Sequence, residues 1–189
     1  VEGGQTMNPS IEDFLTAIDQ VHSDEIIILP NNKNILIAAQ QAAGIAQNKH
    51  VRVLPTRTIP QGISALLAYD AQLDLDALFD QMSEMITHVV SCEVTRAVRD
   101  TSIDGIDVQT GRFIGLLDGK LIVSDADLDH VVRELLCRGH AEDHELVTLY
   151  YGEDVDLQHA QSLASKLAAD DRFDTLEFEV VAGGQPLYP

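Results

Sequence analysis

Asn31, Asn32, Lys33 and Asn34 follow the apolar run Ile26-Ile27-Ile28-Leu29-Pro30, and Thr56, Arg57, Thr58, Gln61 and Gly62 follow Val51-Arg52-Val53-Leu54-Pro55. Amides, hydroxyls and a cation in each group supply hydrogen-bond donors and positive charge, the chemistry that holds a carboxylate or a phosphate. Each group lies between a run that reads as a buried strand stopped by proline and a segment that reads as helix. The donors would therefore sit at a helix N-terminus, where unpaired N–H groups and the helix dipole reinforce them. In parallel α/β sheets the ligand crevice lies outside the carboxyl ends of the strands, which is where both loops fall. The same residues also have plainer uses, because Asn caps helices and Pro-rich polar segments turn strands into helices. One cap would suffice in the first loop, and three Asn with a Lys exceed that need. Neither Gly-x-x-x-x-Gly-Lys-Ser/Thr nor Gly-x-Gly-x-x-Gly is present, so neither loop is a phosphate-binding motif in the strict sense.

No other constellation identifies a catalyst. Cys137, His140 and His144, with Glu142 and Asp143 between them, have the spacing of metal ligands, but a structural zinc takes four ligands and a solvated loop accounts for the set. No metal site is expected. His22, His50, His88, His130 and His159 are scattered over helix ends and faces. Ser64 and Ser91 occupy no Gly-x-Ser-x-Gly elbow, and Cys92 has no neighbour that would lower its pKa. Arg96, Arg99, Asp100 and Thr101 could face a cleft, although an Arg–Asp pair closing a strand is the commoner arrangement.

The elements that must position these residues follow from periodicity. Ser10 caps a helix with Ile11, Phe14, Leu15 and Ile18 inward, ending near Val21. The helix expected over 33–47 has only a narrow polar stripe and should pack deeply on a sheet. With its flanking strands it forms a βαβ unit. A further helix is expected at 63–69, and another from Asp74 with Leu75, Leu78, Phe79, Met82, Ile86 and Val89 on one face. Near residue 90 the period changes to two, with Cys92, Val94 and Val98 alternating with Glu93, Thr95 and Arg99 and with Arg96 breaking the pattern. Asp118-Gly119, between the apolar runs of 113–123, signals a type I′ hairpin. Ser124 is expected to cap a helix carrying Leu128, Val131, Val132, Leu135 and Leu136, stopped by Gly139. A second βαβ unit follows over 146–181, with strands 146–151 and 176–181. The fold class is α/β: two βαβ-containing lobes, 1–90 and 91–189, with an antiparallel meander in the second half.

Composition narrows the function classes. A chain of 189 residues, 45% hydrophobic, has enough apolar material for a core. Against 12 Lys and Arg stand 31 Asp and Glu, a net charge of −19, which argues against nucleic acid or an anionic membrane as the main partner. Two cysteines make no disulfide framework, and no apolar run approaches a membrane span, so a cytoplasmic setting is expected. The N-terminus lacks the features of a signal peptide, and an internal Met7 without an initiator suggests a fragment. Gly-Gly-Gln occurs at 3–5 and again at 183–185, an echo for which chance suffices.

Six stretches in order resemble one family: Gly-Gly-Gln-Thr-Met-Asn-Pro-Ser at 3–10, Leu-Pro-Asn-Asn-Lys-Asn at 29–34, Pro-Thr-Arg-Thr-Ile-Pro-Gln-Gly at 55–62, Ala-Val-Arg-Asp at 97–100, Tyr-Gly-Glu-Asp at 151–154 and Gly-Gly-Gln-Pro-Leu-Tyr-Pro at 183–189. Together they resemble the C-terminal domain of the kinase subunit of bacterial fatty-acid kinase, in the dihydroxyacetone-kinase-like group. The resemblance implies a parent chain whose N-terminal domain binds ATP and magnesium through aspartates, and whose C-terminal domain engages a separate fatty-acid-binding subunit of the DegV type. The product would be an acyl phosphate feeding phospholipid synthesis. Nothing in this chain resembles the ATP-binding aspartates, so no catalytic residue is carried over and no cofactor is expected in the fragment.

The resulting expectation is a non-catalytic docking domain that meets the fatty-acid-binding subunit, and the ATP-binding domain of its own parent chain, through Asn31–Asn34 and Thr56–Gly62. The alternative is a freestanding protein or enzyme that itself binds an acyl or phosphorylated ligand. That alternative predicts an enclosed apolar pocket and a co-purifying ligand, whereas docking predicts an open cleft and an exposed patch.

Overall fold

The computed structural model describes residues 8–189. The Gly-Gly-Gln of 3–5, and with it most of the first family-like stretch, lies outside the described residues. The chain divides into two compact units, one running to Ser91 and the other starting at Cys92.

In the first unit, α1 (Ile11–Gln20) begins at Ser10, whose hydroxyl accepts the Asp13 N–H while the Asp13 carboxylate accepts the Ser10 N–H. This reciprocal capping box satisfies two donors and fixes the helix start. β1 (Glu25–Ile28) is followed by α2 (Leu36–Ile45) and by β2 (His50–Val53), and the two strands pair in parallel with Ile28 opposite Val53. Side chains alternate across a strand, so each face takes its own helices. Ile26, Ile28, Val51 and Val53 pack with Phe14, Ile18, Ala39 and Ala42 of α1 and α2. Ile27, Leu29 and Leu54 pack with Ala65 of α3 (Ile59–Leu67) and with Leu78, Met82 and Ile86 of α4 (Leu75–Thr87). The result is a three-layer α/β/α sandwich around one parallel pair.

Two expectations for this unit change. α2 is shorter than 33–47 and is not deeply packed: only Ala39 and Ala42 are fully buried, while Ile37 and Ile45 are exposed. Two strands about 4.8 Å apart are narrower than a helix about 10 Å across, so a narrow alanine face is all that the pair can cover. α3 starts at Ile59 rather than near Ile63, because Thr58 supplies the cap and Pro60 falls in the first turn, where a missing N–H costs nothing.

The second unit opens with β3 (Cys92–Arg96), then β4 (Thr101–Ile103), β5 (Ile106–Val108), β6 (Phe113–Leu117) and β7 (Lys120–Asp125). β3, β6 and β7 form an antiparallel sheet in that order, and β4 pairs with β5. The expected turn at Asp118-Gly119 has φ of 48° and 78°, as type I′ requires. Asp104-Gly105, at 52° and 80°, makes the same turn between β4 and β5, a hairpin that periodicity over 101–108 does not reveal. α5 (Leu128–Arg138) lays Val131 and Leu135 against Phe113, Val94 and Val123 of the antiparallel sheet. β8 (Leu146–Tyr151), α6 (Leu157–Ala168) and β9 (Glu177–Ala182) form the second parallel βαβ unit, whose core joins Leu163, Leu167, Phe173 and Leu176 to Leu136 of α5.

Two local expectations give way here. β3 ends at Arg96, so Ala97 is buried and Val98, which continues the alternating pattern in the sequence, is 89% exposed in the following bend. Ser124 belongs to β7 opposite Ile114, and the cap of α5 is Asp127, whose carboxylate accepts the Asp129 N–H at 3.0 Å. Gly139 ends α5 as expected, serving as its C-cap, and the left-handed residue is the next one, His140, at φ 53°. Among the described residues no helix is long and apolar enough to cross a membrane.

Candidate functional site

The strand-end loops are built by the sheet itself. The Leu54 N–H donates to the Ile28 carbonyl at 2.9 Å, which carries the parallel ladder one step beyond β2. Pro30 and Pro55 then remove the next donors and both chains leave the sheet. Asn31 follows in the left-handed region, φ 55°, and its N–H donates to Thr56 Oγ1 at 3.0 Å. Thr56 is fully buried, so this bond ties the first loop to the second across the sheet edge.

Gly62 is the other half of the tie. A Cβ at this position would lie 2.2 Å from Asn31 Oδ1, so the residue is glycine to admit the Asn31 side chain, not a ligand. Thr58 Oγ1 accepts the Gln61 N–H and shares a 2.7 Å hydrogen bond with Ser91 Oγ, while Gln61 Oε1 accepts the Arg57 N–H at 2.8 Å. Asn32 Oδ1 accepts the Asn34 N–H at 2.8 Å, forming the turn that leads into α2. α2 itself starts without a side-chain cap, after a turn in which the Ile35 N–H donates to the Asn32 carbonyl.

The nine residues read from sequence thus fall into two groups. Asn31, Asn32, Thr56, Thr58, Gln61 and Gly62 form the framework. Lys33, Asn34 and Arg57 are exposed, and among the described residues neither cation has an ion-pair partner. A depression of about 380 Å³ lies at the opposite end of the strand pair, lined by Glu25, His50, Val51, Arg52, Asp74, Leu75 and Asp76. It is open and polar, and its one arginine already pairs with Asp76 and lies 3.8 Å from the centre of the Phe79 ring.

The remaining candidates resolve into structure. Arg96 and Asp100 do not pair: the guanidinium lies 4.0 Å from the Phe113 ring centre and donates to the Gly111 carbonyl, and the Asp100 carboxylate accepts both the N–H and the hydroxyl of Thr110 at 2.6 Å. Cys92 keeps an exposed face, yet desolvation of its sulfur, with the Asp118 and Glu93 carboxylates adding to it, pushes the thiol up to about 11. Such a thiol is protonated at neutral pH and a poor nucleophile. Desolvation also raises the Cys137 thiol, which packs against the Leu136 and Leu163 core. Among the described residues no three His, Cys, Asp or Glu side chains are grouped to hold a metal ion.

The second unit repeats the strand-end design, a feature that spacing along the sequence does not reveal. Beyond β8 and β9, the Gly183 N–H donates to Tyr151 O, Gln185 Nε2 to Tyr150 O, and the Glu153 N–H to Gln185 O. Thr95 Oγ1 donates to Leu187 O at 2.6 Å. A Cβ on Gly152 would lie 1.8 Å from Tyr188 O, so the closing segment crosses directly over this glycine. Tyr-Gly-Glu-Asp and Gly-Gly-Gln-Pro-Leu-Tyr-Pro are therefore two sides of one contact, as the stretches at 29–34 and 55–62 are in the first unit.

A family model for the C-terminal region of FakA-like fatty acid kinase subunits matches residues 1–189. The protein YloV of Bacillus subtilis strain 168 is 43% identical over 188 residues, covering 100% of this chain and 34% of that protein. An uncharacterized protein of Staphylococcus aureus strain USA300 matches with the same identity and coverage. The chain thus spans about a third of the length of these curated relatives. Among solved structures, a DegV family protein from Corynebacterium glutamicum superimposes with a TM-score of 0.64 at 13% identity, covering 96% of this chain and 79% of that one. The fold is that of the DegV family protein.

Proposed function

Because this chain belongs to the FakA-like C-terminal family of fatty acid kinase subunits, we propose that it is the partner-binding domain of a fatty-acid kinase, docking the fatty-acid-binding subunit so that the parent enzyme can phosphorylate the bound fatty acid with ATP. The domain is non-catalytic in this reading. ATP and magnesium belong to the parts of the parent chain that this third of the relatives' length does not include. One observation carries the reading: the framework residues are tied mainly to one another, with Asn31 Oδ1 buried and without a hydrogen-bond partner among the described residues, while Lys33, Asn34 and Arg57 remain exposed at the sheet edge. Groups of that kind meet an arriving carboxylate or a carboxylate-bearing surface. They do not constitute a nucleophile, a base or a metal site.

The test uses the full-length parent protein, with and without this domain, titrated with the purified fatty-acid-binding subunit. Removal of the domain is expected to abolish binding. A Lys33→Ala/Arg57→Ala double variant is expected to bind about tenfold more weakly and with a shallower salt dependence, as loss of charged contacts at an interface rim dictates. Undiminished binding by the protein lacking the domain would refute the docking role. Undiminished binding and kinase activity in the double variant would remove the two loops from it.

A further inference from the structure

Between Glu25 and Asp70 the chain carries no acidic residue, although 31 of its 189 residues are Asp or Glu. Four cations lie in that interval. Lys49 donates to the Ile18 and Val21 carbonyls at the end of α1, and Arg52 pairs with Asp76, which leaves Lys33 and Arg57 exposed. Within the interval, α3 buries Gly62 and Ala65 and turns Ile59 (64% exposed), Ile63 (37%), Leu66 (58%) and Leu67 (81%) to solvent. At i, i+4, i+7 and i+8 these four lie on a single arc of the helix. Scattered exposed aliphatics need no explanation, but four on one face of a nine-residue helix that has no charged residue of its own form a patch.

The charges at the two ends differ. Arg57 precedes α3, and the Asn31–Gly62 contact brings the Lys33 loop to the same end; Asp70 follows the helix. Resting on the docking reading above, we infer that the outer face of α3 is the centre of the docking surface, and that it takes an apolar protein surface whose carboxylates flank the end that meets Arg57. The acid-free interval lowers the repulsion that such a partner meets from a body of net charge −19, although α4, packed beside α3, carries Asp76, Asp80 and Glu84. A second copy of the chain fits less well. An antiparallel α3 pair would set Arg57 against Asp70, but two bodies of net charge −19 would repel.

A Leu66→Glu/Leu67→Glu variant of the full-length protein tests this, titrated with the purified fatty-acid-binding subunit. Both side chains are exposed, so the melting temperature is expected to stay within a few degrees while affinity falls about 30-fold. Arg57→Glu should weaken binding and Arg57→Lys should restore most of it. Amide exchange over 59–69 should slow only in the presence of the fatty-acid-binding partner. If the wild type binds and the leucine variant binds equally well, the α3 surface is wrong while the docking role stands. If deleting the whole domain leaves binding unchanged, the docking role fails and this inference with it. Protection of 59–69 that rises with concentration of the free protein, a change in the variant's own sedimentation, or loss of binding to phosphatidylglycerol vesicles would each assign the face to another occupant and overturn the proposal.

Discussion

Thr56 has no exposure, and its hydroxyl is the acceptor for the Asn31 N–H. Thr56→Val keeps the shape and removes the acceptor, so it should cost about 1–2 kcal/mol in urea unfolding, whereas Thr56→Ser should recover part of that. Asp170 gives a pH-dependent counterpart. Its carboxylate accepts from Arg172 and from Arg133, which hold its pKa well below the ordinary carboxylate range. A lowered folded-state pKa stabilises above the unfolded value of about 3.9, and that contribution declines as pH falls from there through the folded value. Asp170→Asn should therefore be less stable than the wild type at pH 7, with the difference shrinking below about pH 4 in unfolding titrations. The residue types of the candidate site were legible because amides, hydroxyls and cations cluster after two prolines. Their division into framework and exposed groups was not, since it depends on Asn31 reaching Thr56 and Gly62, and no spacing rule relates residues that far apart in sequence.

At the scale of elements, the cap of α5 separates two similar-looking residues. Asp127→Ala removes the acceptor of the Asp129 N–H and should cost about 1 kcal/mol. Ser124→Ala should be neutral or stabilising, because Ser124 Oγ is buried with no hydrogen-bond partner among the described residues. Denaturant midpoints of the two variants decide the matter, and the reverse order would show Ser124 to be the cap after all. The sequence pointed to Ser124 because serine is a favoured cap just ahead of an amphipathic run; pairing of Ile114 with Ser124 and of Phe113 with Asp125 instead keeps the strand going past it. Periodicity succeeded where one face of an element is buried, as in α1, α4 and both βαβ units. It failed for α2, where an apolar composition met a sheet too narrow to cover it.

For the whole molecule, the α/β class followed from alternating strand and helix signals, and the fold is shared with a DegV family protein at an identity too low for residue-level inference. Net charge averages over the chain and so hides the acid-free interval, whereas docking depends on where charge is missing. The clasp over Gly152 has a consequence for how the chain is made. The parallel pair of the first unit is complete once Val53 has been synthesised, and that unit closes on nearby sequence. In the second unit β8 waits for β9, and Gly152 and Thr95 wait for the segment through Tyr188, so a strand near the start of the unit cannot reach its final contacts until residues 187 and 188 have emerged. During translation the first unit is free to mature early, while the exposed edges of the second depend on late arrivals, and that half is where nascent chains would need protection from aggregation.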